Sequence, residues 1–358
     1  MDSLLLHLVA QSIGKNELSA NLDSRSESSL VLFSHGRNAL TRSTLLSLGS
    51  INADFQMRLD EEPGSAETLL AHDHVRLSGG KAANVAYLGA VFGCTSRLLG
   101  CVGDDDLARQ ALSPLQAAGV DIGSVCTARG ATTGVSIIMV PPKGKKQIVL
   151  ATNANDQWDE ASAQAMVEAI RQTAPPALLT VDYEIPAWVV RKAVEAADQR
   201  TVPVVMDLSF PDRVEKALLS KVLAVSPNAS EAEGVTGITI DSPESALEAA
   251  RTLHEWGVSI VCIKLEDGGC VLVTEEGAAL IPAGEADIVD STGAGDAFTG
   301  VLSIALLEGL APLEAALRGV AAANLAVRGY GSQPAYPSRE EVEQQADRLR
   351  AGVRNLHE

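Results

Sequence analysis

The chain's most reactive-looking pattern is an aspartate set inside a glycine turn at a helix start. Asp290-Ser-Thr-Gly-Ala-Gly-Asp296 follows a strand-like approach over residues 285–289 and runs into an apolar, helix-forming stretch from Ala297 to Leu307. A helix N-terminus leaves backbone N–H groups without partners, and the helix dipole favours negative charge there. Gly293 and Gly295 let the backbone approach a phosphate closely, since no side chain stands in the way. A carboxylate at Asp296 repels that phosphate unless it has a proton to take, and the fitting proton is that of a hydroxyl attacking phosphorus. The pattern predicts phosphoryl transfer, with Asp296 as base and the Gly293, Ala294 and Gly295 backbone as the anion cradle. An ordinary turn with a capping aspartate is the structural alternative.

Other polar residues follow strand-like runs, where open α/β sheets bind ligands. Asn52 and Asp54 come just after the leucine run Leu45-Leu-Ser-Leu48 and a Gly turn. An amide that donates and accepts, beside a carboxylate that accepts two hydroxyl hydrogens, suits a polyol; an Asx turn is the alternative. Gly79 and Gly80 form a tight turn before a helix, projecting Lys81 and Asn84 towards the same pocket. Asp182 and Glu184 follow another strand. Asn228 with Glu231 three residues on resembles a capping box, and both could also bind a ligand.

These segments together resemble the ribokinase-like sugar kinases, also called PfkB carbohydrate kinases, from about Leu46 to about Pro337. The family's second signature reads Asp-Thr-x-Gly-Ala-Gly-Asp, with Ser291 here in place of the Thr. Its first signature is matched by Ser78-Gly-Gly-Lys-Ala-Ala-Asn84. The resemblance implies an ATP-dependent kinase acting on a primary hydroxyl of a small sugar. It assigns sugar contacts to Asn52, Asp54, Gly80, Lys81, Asn84 and Glu184, with Asp182 competing for the last role. It assigns Asn228 to the phosphate end of ATP and Glu231 to Mg²⁺ through water, because Mg²⁺ gives up hydration reluctantly. Lys264 to Gly269 would embrace the nucleotide, although the family usually has Gly where this chain has Glu266. Asp207–Arg213 follows the family's Asn/Asp-Pro-x-x-Arg stretch only loosely. A K⁺ ion beside the anion cradle would take oxygens of Asp290, Thr292, Ala326, Gly329 and Gly331. The sugar motifs are more similar to ribokinases than to fructokinases or adenosine kinases, so ribose is the implied substrate. Fructose, 2-keto-3-deoxygluconate, a nucleoside, or a catalytically silent nucleotide or sugar sensor are the alternatives, and the intact Asp296 speaks against the last.

The positioning elements read as alternating strands and helices. Strands are expected at 97–102, 177–182, 202–207, 223–226, 259–265 and 269–274; helices at 159–172, 187–200, 242–255 and 312–327. This alternation predicts an α/β fold with a mainly parallel sheet covered by helices. Residues 55–77 and 132–151 break the pattern as extended segments, and the resemblance implies that they pair into a small β lid over the sugar, through which a homodimer could form. The kinase domain is expected over residues 45–345, after an N-terminal extension (1–44) and before a C-terminal tail (346–358).

Composition narrows the class further. A net charge of −18 over 358 residues argues against nucleic acid, whose phosphates need clustered Lys and Arg. Only 3% of residues are aromatic against 46% hydrophobic, which suits an Ala/Val/Leu-rich enzyme rather than a base-stacking surface. No run approaches the roughly 20 apolar residues that cross a bilayer, and the N-terminus lacks a basic leader. Five cysteines without a C-x-x-C are expected as reduced, mostly buried thiols of a cytoplasmic protein. His72 and His74 read as an ordinary polar strand.

Overall fold

The computed structural model describes residues 43–64, 68–142 and 146–356. Residues 1–42 of the expected extension lie outside them. The first strand, β1 (Thr44–Leu48), leads into β2 (Asn52–Leu59), β3 (Ala71–Gly79), α1 (Lys81–Val91) and β4 (Thr95–Gly103). Next come α2 (Asp106–Ala117), β5 (Asp121–Ala128), β6 (Gly134–Val140), β7 (Gln147–Ala151), α3 (Glu160–Gln172) and β8 (Ala177–Val181). The centre holds α4 (Ala187–Gln199), β9 (Val204–Met206), β10 (Ala224–Val225), α5 (Ala229–Thr236), α6 (Pro243–Glu255) and β11 (Ile260–Lys264). The last elements are β12 (Cys270–Thr274), β13 (Gly277–Ile281), α7 (Ala294–Leu307), α8 (Pro312–Ala326), α9 (Arg339–Arg350) and β14 (Arg354–Asn355).

One large sheet runs in the order β14-β13-β12-β11-β10-β9-β8-β1-β4-β5. Every neighbouring pair from β11 to β5 is parallel; the other three pairs are antiparallel. β1 shows why this sheet is covered on both sides. Leu46 and Leu48 join the cluster formed with α3, α4 and α6, whereas Leu45 joins the one formed with α1, α7, α8 and α9. A strand buried on both faces must be apolar at successive positions, which is what the leucine run supplies. The expected 346–358 tail is partly integrated: α9 continues to Arg350, and Arg354 and Asn355 pair with β13.

The two extended segments build a separate sheet, β3-β2-β6-β7. Side chains alternate across it. Asp54, Ser136, Ile138, Ile148 and Leu150 line the cavity beneath, while Ile137 and Val149, neighbours in register, are exposed on the other side.

The expectation of reduced cysteines needs correction. Cys101 and Cys126 are directly opposed on the parallel neighbours β4 and β5, with Cα atoms 4.6 Å apart, and form a disulfide. Their separation of 25 residues carries no motif, and only the strand pairing brings them together. Cys94, Cys262 and Cys270 are free. Among the described residues no helix is long and apolar enough to cross a membrane.

Candidate active site

A cavity of about 440 Å³ opens at the carboxyl ends of the parallel strands, under the small sheet. Strand ends converge there because each parallel strand hands its chain to a loop on the same edge. At the floor, α7 begins at Gly293, which is left-handed (φ +74°) and provides no side-chain cap. A Cβ on Gly293 would press on Ser332 and the Tyr336 hydroxyl, so the turn needs glycine for both conformation and space. The first turn therefore carries no capping side chain, its Ala294 N–H donates to the Ser291 carbonyl at 3.4 Å, and Asp296 stands on that same turn and lines the cavity.

Asp296 is held by its neighbours. Asn84 Nδ2 donates to Asp296 Oδ2 at 2.7 Å, and Gln333 Nε2 donates to Asn84 Oδ1 at 3.2 Å and to Ser78 Oγ at 3.1 Å. Asn84, expected as a sugar contact, thus also fixes the Asp296 carboxylate. Lys81 Nζ lies 3.8 Å from Asp296 Oδ1 and 3.1 Å from Asp207 Oδ1. Burial pulls the Lys81 ammonium down, but Asp207 and then Asp296 outweigh it and hold it well above its usual range. Burial pushes Asp207 up, yet Lys81 and Lys264 prevail and hold it below the usual carboxylate range. Lys264 Nζ, at the end of β11, is 3.6 Å from Asp207 Oδ2 and beside Gly295.

The polar end of the cavity gathers Asn52, Asp54, Gly80, Lys81 and Glu184. Asn155 fixes the loop after β1: its Oδ1 accepts from Ile51 N at 3.0 Å and its Nδ2 donates to Asn52 Oδ1 at 2.8 Å. Asp182 and Glu184 now separate. Asp182 is a strut, accepting from Ser50 N at 3.1 Å and from Glu184 N at 2.9 Å, whereas Glu184 lines the cavity. Arg213 supports the same loop by donating to the carbonyls of Tyr183 and Ile185. Burial pushes Glu184 up, opposed chiefly by Lys81.

Asp54 is strongly perturbed. Burial, opposed by a hydrogen bond to Ser136 and reinforced by Glu184 and Asp296, raises it to about 7. Its Oδ1 is buried without a partner, as an acceptor awaiting a hydroxyl would be. A raised folded-state value means that the group's contribution to stability is present below its ordinary value of 3.8 and is lost as pH rises through about 7. Asp54→Asn is therefore expected to be more stable than wild type at pH 8, by on the order of a few kcal/mol, with the gain fading on acidification. Urea unfolding across pH checks this; a mutant less stable than wild type at pH 8 would contradict it.

Asn228, Glu231, Lys264 and Gly269 line the other end of the cavity. The capping-box reading also holds: Asn228 N donates to Glu231 Oε2 and Glu231 N to Asn228 Oδ1, each at 2.8 Å. Leu265, Ala286, Ile288, Ala323 and Val327 give this end an apolar wall suited to a flat ring. Glu266 is solvent-exposed at its rim, which keeps its charge hydrated.

The expected cation ligands lie partly behind the turn. Thr292 lines the cavity, whereas Asp290, Ala326, Gly329 and Gly331 do not. Both Asp290 oxygens are engaged: Oδ2 accepts from Gln56 Nε2 (2.6 Å) and Gly331 N (2.9 Å), Oδ1 from Thr292 N (2.9 Å) and Thr292 Oγ1 (2.6 Å). The carboxylate serves as a latch for the turn.

The sequence assigns no role of its own to Asp207 or Lys146. Asp207 falls within a loose match, although an Asp directly after the β9 run is a usable signal. Lys146, just before β7, reaches from the small sheet to the turn, where its Nζ donates to the Ser291 carbonyl at 2.8 Å.

The family model of the pfkB family carbohydrate kinases matches residues 42–339. The ribokinase of Haemophilus influenzae is 32% identical over 84% of this chain and 97% of its own length. The ribokinase of Arabidopsis thaliana is 30% identical over 83% of this chain and 79% of its own length. The solved structure of the Arabidopsis ribokinase complexed with ribose and ATP superposes with a TM-score of 0.73 at 26% identity, covering 86% of this chain and 99% of that one.

Proposed function

This chain belongs to the pfkB family of carbohydrate kinases, and we propose that it transfers the γ-phosphoryl group of ATP to the primary hydroxyl of ribose. The observation that carries the reading is the placement of Asp296. It stands on the first turn of α7, which has no side-chain cap, and it lines the same cavity as the polar Asn52, Asp54 and Glu184 and the apolar Leu265, Ala286 and Ile288.

In this reading Asn52, Asp54, Lys81 and Glu184 bind the sugar hydroxyls, and Asp296 takes the proton of the attacking hydroxyl. Its oxygen forms a bond to the γ-phosphorus while the bond to the bridging oxygen breaks, leaving the electron pair on ADP. The N–H groups of residues 293–296 stabilise the charge developing on the transferring group, so most of the acceleration is positioning and electrostatics. Lys264 offsets phosphate charge from the side, and Asn228 meets the phosphate end of the nucleotide. The small sheet keeps water out.

A divalent cation would neutralise the β- and γ-phosphates. Among the described residues no group of three or more His, Cys, Asp or Glu is placed to hold a metal. Mg²⁺ would therefore be held mainly by the nucleotide and water, with Glu231 in its outer shell. A K⁺ ion would rely on carbonyl oxygens of Asp290, Thr292, Ala326, Gly329 and Gly331, since the Asp290 carboxylate is engaged; the buried, unpartnered Ser332 hydroxyl beside Gly293 fits such a neighbourhood.

The test of the substrate is ADP release with MgATP and K⁺ across pentoses, hexoses, sugar acids and nucleosides. Ribose is expected to give the highest kcat/KM. A higher value for fructose, 2-keto-3-deoxygluconate or a nucleoside would overturn that choice.

A further inference from the structure

The cavity surface contributed by the small sheet is otherwise acidic, neutral or apolar: Asn52, Asp54, Ser136, Ile138, Ile148 and Leu150. Lys146 is the one cation that this sheet's segments bring to it among the described residues. Its ammonium does not point outwards to solvent but crosses to the turn before α7, donating to the Ser291 carbonyl at 2.8 Å. An ammonium has three donors, so two remain for another group. Asp296, Asp290, Lys81 and Asp54 are the charges that act on it. Burial pulls its affinity for a proton down, and Asp296 and Asp290 partly restore it.

The position has a chemical meaning. Lys264 flanks the start of α7 from the β11 end, beside Gly295. Lys146 flanks the same turn from the small sheet. A phosphoryl group seated on the first-turn N–H groups would lie between two ammonium ions borne by two different sheets. In the transition state of phosphoryl transfer, charge is spread over the three equatorial oxygens, and a fixed cation there stabilises it.

We propose that Lys146 is a catalytic residue that contacts the transferring phosphoryl group, so that the small sheet supplies part of the reaction's electrostatics as well as its cover. This rests on the kinase reading above. The hydroxyl oxygen bonds to phosphorus, the bond from phosphorus to the bridging oxygen breaks with its electron pair going to ADP, and the hydroxyl proton goes to Asp296. Lys146 keeps its own protons throughout.

The test compares Lys146→Met and Lys146→Arg with wild type, using ribose and MgATP. Lys146→Met is expected to lower kcat about 10²-fold, the usual cost of removing one fixed transition-state donor. Its KM values for ribose and ATP should stay within about threefold, as expected for an interaction made only in the transition state. Lys146→Arg should recover a large part of kcat. Binding gives a second readout: aluminium fluoride should tighten ADP binding to wild type in the presence of ribose but not to Lys146→Met, while ADP alone binds both equally. Unchanged kcat in Lys146→Met would overturn the proposal. So would a loss confined to the sugar KM, which would make Lys146 a substrate-binding group, or a lowered thermal midpoint with no recovery by Arg, which would make it a strut. Turnover by wild type that is lost in Asp296→Asn upholds the kinase reading even if Lys146→Met behaves as wild type. A wild type inert with every sugar removes both.

Discussion

Asp296→Asn is expected to lower kcat by about 10²–10⁴-fold, the range that a positioned general base contributes. The exchange is nearly isosteric, so the turn and its N–H groups should survive it. KM for ribose and ATP should therefore change little, because the missing interaction is proton transfer in the transition state rather than ground-state binding. Asn84, which donates to Asp296 at 2.7 Å, can still donate to an amide oxygen at the same place. Steady-state kinetics separates the cases. A mutant with full kcat and a raised sugar KM would make Asp296 a binding residue and remove the base from the mechanism.

Lys81→Met should produce the largest loss of stability. Lys81 is a mostly buried ammonium 3.1 Å from Asp207, which is itself nearly inaccessible to solvent. Removing one partner of such a pair leaves the other charge buried, at a cost of about 3–5 kcal/mol. Lys264, at 3.6 Å, would compensate only in part. Neutralising the orphan should repair most of the damage, so Lys81→Met with Asp207→Asn should approach wild type in urea unfolding. The signs define the pH window. Asp207, held below 3.8, contributes stability above that value and loses it as pH falls through its depressed one. Lys81, held above 10.5, contributes below that value and loses it as pH rises through its raised one. The penalty in Lys81→Met should accordingly be flat through neutral pH. A double mutant no better than the single one would show that the packing of the lysine stem, not the charge pair, was being measured.

Much of this was legible in the sequence because it depends on local rules. The glycine turn with Asp296 declares the start of α7, and Leu45, Leu46 and Leu48 declare a strand buried on both faces. Glu184 could not be told from Asp182 until the backbone showed which one braces Ser50. Glu231 is at once a capping partner and a cavity residue, so its spacing fitted both readings. What the sequence hid depends on contacts between distant segments. Asn155 fixes a loop 104 residues away. Gln333 orients Asn84 across 249 residues, and Lys146 meets Ser291 across 145. Lys146 follows the Lys- and Gly-rich connection between two strands, where a lysine reads as an ordinary solvated charge. Cys101 and Cys126 became partners only when β4 and β5 paired. The C-terminal strand β14, two residues long, is too short to leave a periodic signal.

The central claim is best tested by following wild type and Asp296→Asn with ribose and MgATP by ³¹P NMR. The account predicts one new phosphate monoester, coupled to the protons of the primary carbon of ribose, formed in step with ADP and absent with the mutant. Free phosphate in place of the ester, an ester on a ring hydroxyl, or equal product from the mutant would contradict it.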